Sequence, residues 1–172
     1  MRLFIAAELG GEAKNEILKA EEAIRAQGVY GTFTKAENVH LTLAFIGEFN
    51  NPGKVLAAMR SVPFKGFGAR LSGLGNFGDL WWCGLDCPRA FYGYVGRLRA
   101  ALENAGIPCD RKKFKPHVTV LRRADCEFEV PAVRGVSTEI SRVVLMKSEF
   151  SANGMIYTAI GDVKADRANG DA

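Results

Sequence analysis

The chain contains two histidines, and each opens the same short pattern: His40-Leu41-Thr42-Leu43-Ala44-Phe45 and, 77 residues later, His117-Val118-Thr119-Val120-Leu121-Arg122. Polar and apolar residues alternate in both, which is the pattern of a β-strand with one face buried. Side chains on a strand alternate faces, so His40 and Thr42 point one way while Leu41, Leu43 and Phe45 point the other. In the second segment His117 and Thr119 share one face, and Val118 and Val120 take the opposite one. A fold that satisfies both segments must give each an apolar layer on one side and leave its His-x-Thr pair on the other. With six threonines in 172 residues, finding Thr at the second position after both histidines has a chance of roughly one in 800 by composition.

The remaining periodicities supply the surroundings. Residues 2–8 read as a buried strand. Ala13, Ile17, Ala20 and Ile24 then recur at helical spacing, with Glu12, Lys14, Lys19, Glu21 and Arg25 elsewhere on the helix and Gly28 as its stop. A strand is expected from Val39 to Phe49 and a helix from Pro52 to Arg60. The Gly- and aromatic-rich stretch from Phe64 to Asp86 reads as two strands turning near Gly75 to Asp79. Pro88 then opens a third helix, with Phe91, Val95, Leu98, Leu102 and Ala105 on its apolar stripe and Gly106 and Pro108 ending it. The His117 strand follows, then a loop from Asp125 to Gly135. Two strands, Ile140 to Phe150 and Met155 to Val163, close the chain as a hairpin turning at Ala152-Asn153-Gly154. Residues 163–172 are expected to fray. Strand, helix and histidine strand occur in each half, as an internal duplication would leave them. The expected fold is therefore α+β and pseudo-symmetric: one domain over residues 1–172, in which two antiparallel sheets face each other and each carries one histidine strand.

No apolar run approaches the ~18 residues needed to cross a bilayer, and the first residues lack a signal-peptide layout, so a cytoplasmic protein without a membrane partner is expected. In that setting Cys83, Cys87, Cys109 and Cys126 are expected to be free thiols. A zinc site is disfavoured because Cys109 and Cys126 stand alone and neither histidine is near a cysteine in sequence. The net charge is +4, but Arg111, Lys112, Lys113, Lys115, Arg122 and Arg123 crowd around His117. That concentration favours an anionic partner; a solvated basic loop is the alternative.

Two imidazoles and two hydroxyls around one cavity suit a phosphodiester. A neutral imidazole can take a proton from an attacking water while a protonated one donates to the departing oxygen. Threonine hydroxyls can donate to nonbridging oxygens, and arginine supplies positive charge. Two other readings stand beside this one. Facing histidines could ligate zinc, although a third ligand is missing and a threonine hydroxyl is a poor zinc partner, or each could be a hydrogen-bonded core residue.

At these residues the chain resembles the two-histidine phosphoesterase superfamily, and within it the RNA 2′,3′-cyclic phosphodiesterases, also called 2′-5′ RNA ligases. The resemblance runs nearly end to end. It covers Met1-Arg2-Leu3-Phe4-Ile5-Ala6, the block from Glu37 to Gly47, Phe114-Lys115-Pro116-His117-Val118-Thr119, and Lys147-Ser148 with Gly154 and Tyr157. It implies a bilobal fold with helices outside and a central cleft, and no metal or cofactor. It also implies hydrolysis of RNA ends bearing a 2′,3′-cyclic phosphate to 2′-phosphomonoesters, and reversible ATP-independent 2′-5′ joining of RNA ends. Carried over, His40 and His117 are the catalytic pair, with His40 the acid on the leaving 3′ oxygen and His117 the base on water. Thr42 and Thr119 hold the phosphate, and Arg122 clamps it. Strict alternation would put Arg122 on the face opposite His117 and Arg123 on the same face, so either the strand is bulged or ending there, or Arg123 does the work.

For the nucleobase, Phe33, Phe114, Trp81, Trp82 and Tyr157 are candidates to stack, with none singled out. Trp81 and Trp82, as neighbours in a strand, must take opposite faces. The same chemistry on small cyclic nucleotide phosphates or 2′-5′ oligonucleotides, or a noncatalytic RNA-end binder, are the competing functions. No obligate protein partner is evident, and a monomer is the default.

Overall fold

The computed structural model describes residues 1–166. The first strand, β1 (Arg2–Ala7), lies between β3 (Leu41–Glu48) and β8 (Arg142–Ser151), with β9 (Gly154–Lys164) outside β8, in a four-stranded antiparallel sheet ordered β3-β1-β8-β9. The second sheet has five strands, with β2 (Thr32–Phe33), β4 (Phe67–Phe77), β5 (Leu80–Asp86), β6 (His117–Arg122) and β7 (Ser137–Ile140) in the order β2-β6-β5-β4-β7. The two histidine segments therefore belong to different sheets, as the duplication implied.

Three helices cover the apolar faces. In α1 (Gly11–Arg25) the expected stripe of Ala13, Ile17, Ala20 and Ile24 is buried, and the helix packs on β6 and β7. Its entry is fixed by the Gly10 amide, which donates to Thr138 Oγ1 at 2.8 Å. Helix α2 (Pro52–Arg60) starts with proline in its first turn and with the Asn51 side chain accepting from the Lys54 amide at 3.1 Å. Helix α3 (Arg89–Asn104) buries Phe91, Tyr94, Val95, Leu98 and Leu102. One residue of α1 departs from the sequence reading. Glu21, placed there off the apolar stripe, is 3% exposed and its Oε1 has no hydrogen-bond partner.

The region from 137 to 164 also differs. The single strand expected from Ile140 to Phe150 is two strands that break at Ser141 and join different sheets: β7 pairs with β4, and β8 pairs with β1 and β9. Ile140 and Val143, on either side of the crossing, are both fully buried, so a continuous apolar pattern conceals a change of sheet. Residues 163–166, expected to fray, are held instead: β9 runs to Lys164, the Ala165 amide donates to Ser141 O, and the Asp166 amide donates to Phe64 O, both at 2.8 Å. The rest of that expected tail lies outside the described residues. Strand β2, absent from the sequence reading, adds Thr32 opposite Arg122 at the edge of the second sheet.

A bulge in β3 corrects the face assigned to Phe45. Ile5 pairs with Ala44 and Ala6 with Thr42, so Leu43 is an extra residue on β3. Leu43 and Ala44 are consequently both buried, and Phe45 returns to the face of His40 and Thr42, where it is 45% exposed. The Leu43 carbonyl, drawn out of the ladder, accepts from Arg99 Nε at 3.0 Å and from its Nη2 at 2.9 Å.

Candidate active site

The two histidines are held in the same way. His40 Nδ1 lies 2.5 Å from the Asn38 carbonyl oxygen and His117 Nδ1 lies 2.6 Å from that of Lys115. In each case the acceptor is the residue two positions earlier. A carbonyl can only accept, so each Nδ1 carries the proton and each Nε2 is left for chemistry on the face that the histidine shares with its threonine. His40 Nε2 is 3.0 Å from Thr42 Oγ1. On the second sheet, Thr119 lies on the His117 face, its strand fixed from the other edge by Thr34, whose hydroxyl donates to Thr119 O at 2.8 Å.

Aromatic rings frame both imidazoles. Phe4 and Tyr157 lie 5.0 and 5.2 Å from His40, ring centre to ring centre, with Tyr157 at 84° to the imidazole. Trp82 and Phe77 lie 6.2 and 6.4 Å from His117. Burial lowers the pKa of His40 from the ordinary histidine value of 6.5; the Asn38 hydrogen bond opposes this and the positive charge of Arg122 adds to it. That influence joins the two halves of the site, since Arg122 comes from the second sheet and His40 from the first. With two histidines in the chain, imidazole NMR resonances can be assigned by substituting either one. His40 is expected to titrate below 6.5, and Arg122→Met is expected to move its midpoint upward. An unmoved midpoint would separate Arg122 from His40.

The conflict over Arg122 is resolved by a bulge in β6. Trp82 pairs with Thr119 but Trp81 pairs with Leu121, so Val120 is the extra residue. Val120 and Leu121 are both buried, and the exposed Arg122 regains the face of His117 and Thr119. Arg123 sits at a φ of 55° and its guanidinium donates to Thr32 Oγ1 at 2.9 Å, which ties it to the edge strand. Gly31 packs directly on this turn: a Cβ there would lie 2.7 Å from a Leu121 methyl, 2.8 Å from Arg122 O and 2.9 Å from Arg123 O. Gly31→Ala must displace backbone, so a loss of about 1–3 kcal/mol in chemical denaturation is expected, with the Arg122 effect on His40 weakened in the same NMR titration.

The other sequence candidates disperse. Phe33 lies under the Arg25 guanidinium, 4.3 Å from it, and Phe114 packs between Phe91 and Tyr92 at 5.8 and 5.7 Å. Trp81 packs against Phe128 at 4.6 Å, on the face opposite Trp82. Of the basic cluster, Arg111 is paired with Glu103 at 3.2 Å, while Lys112, Lys113 and Lys115 are exposed. Sequence reasoning missed Phe77, and Phe45 as a residue of this face. Among the described residues, no group of three or more His, Cys, Asp or Glu side chains is placed to hold a metal ion, and no helix is long and apolar enough to cross a membrane.

Two antiparallel sheets, each presenting one His-x-Thr pair, with the charge of Arg122 on the second sheet felt by His40 on the first, fit the arrangement expected of a two-histidine phosphoesterase. Comparison with known proteins agrees. Residues 9–80 match the family model described as LigT like phosphoesterase. The chain is 29% identical over 171 residues to the RNA 2′,3′-cyclic phosphodiesterase of Aeropyrum pernix, covering 87% of this chain and 94% of that protein. It is 31% identical over 145 residues to the protein of the same name from Geobacillus stearothermophilus, covering 77% of this chain but 46% of that longer protein. A crystal structure from Thermus thermophilus superposes with a TM-score of 0.82 at 29% identity, covering 95% of this chain and 97% of that one. The apo crystal structure of Escherichia coli LigT superposes with a TM-score of 0.85 at 25% identity, covering 96% and 98%. The chain is thus similar to LigT-like phosphoesterases, in sequence over residues 9–80 and in fold over nearly its whole length.

Proposed function

We propose that the protein hydrolyses RNA ends bearing a 2′,3′-cyclic phosphate to 2′-phosphomonoesters, using His40 and His117 as the acid–base pair without a metal ion. The observation that carries this reading is the matched pair of Nδ1 hydrogen bonds, which commits both Nε2 atoms to the faces carrying Thr42 and Thr119. Water attacks phosphorus, the P–O3′ bond breaks, one imidazole takes the water proton and the other protonates O3′. Thr42, Thr119 and Arg122 hold the nonbridging oxygens as charge develops on them.

Burial favours the neutral form of His40, and this supports His40 as the acceptor of the water proton and His117 as the donor to O3′, the reverse of the roles that the resemblance implied. The Thr42 hydroxyl lies at hydrogen-bond distance from His40 Nε2; once that nitrogen is protonated, the hydroxyl hydrogen is released toward a phosphoryl oxygen. Replacing water by the 5′-hydroxyl of a second RNA gives 2′-5′ joining through the same steps and needs no ATP. The test is an RNA oligonucleotide ending in 2′,3′-cyclic phosphate, incubated with the protein in excess EDTA. The expected product is the 2′-phosphate. A 3′-phosphate product, or binding without turnover, would overturn the proposal.

A further inference from the structure

Resting on that reading, the geometry points to a nucleobase platform beside His117, built from the indole of Trp82 and the ring of Phe77. Strand register sets its position. Trp82 is paired directly with Thr119 and Gly84 with His117, so the indole stands on the catalytic face, immediately beside the second His-x-Thr pair. Gly75 is the partner of Trp82 on β4, and Phe77 follows on the same face two residues later.

Glycines make room for the indole to lie against the sheet. A Cβ at Gly75 would fall 2.3 Å from the Trp82 ring, and one at Gly84 would fall 2.6 Å from Ser72 Oγ and 3.4 Å from the ring. The indole nitrogen is buried without a hydrogen-bond partner, so the part of this half-buried ring left open is carbon surface. Phe77, 54% exposed and 5.3 Å from Trp82, extends that surface outward. An apolar ring face bordered by a phosphate-binding pair fits a nucleotide whose base stacks while its phosphate is gripped.

The rings of the other sheet serve this less well. Phe4 is 3% exposed, and Tyr157 stands edge-on to His40. Phe45 is exposed but is separated from His40 by Phe4, 5.9 Å away.

The test uses the two tryptophans of the chain. Trp81→Phe leaves Trp82 as the sole indole emitter, and this protein is titrated with adenosine 2′-phosphate and separately with inorganic phosphate. Quenching by the nucleotide and not by phosphate is expected. In parallel, kcat/KM is measured on adenosine 2′,3′-cyclic phosphate and on glycerol 1,2-cyclic phosphate, which has no base. Phe77→Ala, at an exposed position, and Trp82→Leu are each expected to lower the ratio of the two values about tenfold. An unchanged ratio in both variants, or equal quenching by phosphate, would overturn the platform. Wild-type protein that hydrolyses neither substrate yet is quenched by the nucleotide alone would retain the platform and overturn the phosphodiesterase reading.

Discussion

His40→Ala and His117→Ala are each expected to lower the rate of cyclic phosphate opening by about 100- to 10,000-fold, the range that a positioned acid or base contributes. Each imidazole has a proton to move in the same step, so losing one leaves the other without its counterpart. The double variant should therefore be only slightly slower than the worse single one, far from the product of the two effects. Glutamine at either position preserves hydrogen bonding and much of the volume but cannot exchange a proton, so His→Gln should be nearly as slow as alanine. A protein that merely grips phosphate predicts the opposite, with glutamine tolerated. His40 packs between Phe4 and Tyr157, and its removal leaves a partly apolar gap. A thermal midpoint for the glutamine variants close to wild type, with phosphate binding retained, would assign the loss to chemistry rather than to collapse of the site.

Much of this site could be read from residue pattern because its central elements are local. His40 with Thr42, and His117 with Thr119, share a face through the two-residue period alone. What the pattern could not give was set by partners distant in sequence. The bulge at Leu43 depends on pairing with β1 and on the Arg99 side chain that takes the freed carbonyl; it turns Phe45 from the expected core face to the face of His40 and Thr42. The bulge at Val120 depends on pairing with β5 and restores Arg122 to the face that strict alternation denied it. The break at Ser141 was invisible for a related reason, since both sides of the crossing remain apolar and only their hydrogen-bond partners change. Trp82 could be assigned a face opposite to Trp81 but no location, because its neighbours are glycines whose meaning lies in what covers them. The direction of the His40 shift likewise needed burial and a charge from the other sheet.

The largest expected effect on stability lies away from the two histidines, at Glu21. Burial pushes its carboxyl from the ordinary 4.5 up to about 8, with the nearby Arg25 only partly opposing, and its Oε1 has no partner. Folding therefore favours the protonated acid, whereas the unfolded chain ionises above about 4.5. The contribution is fully present below 4.5 and declines as pH rises toward 8, because over that interval the folded state binds the proton that the unfolded state has released. At about 1.4 kcal/mol per pH unit, the protein should be on the order of 3 kcal/mol less stable at pH 7 than at pH 4 from this group alone. Glu21→Gln replaces a carboxyl that titrates by a neutral amide of similar shape. Its advantage over wild type in urea denaturation should be small near pH 5 and grow by about 3 kcal/mol or more by pH 8. A difference independent of pH would show that Glu21 is ionised or solvated in the folded protein. Since α1 packs on β6, the helix that carries this charge burden also supports the His117 strand. Extra stability in Glu21→Gln at alkaline pH, without a change in cyclic phosphate hydrolysis at pH 6, would place the burden in the scaffold and leave the face of His117 and Thr119 independent of it.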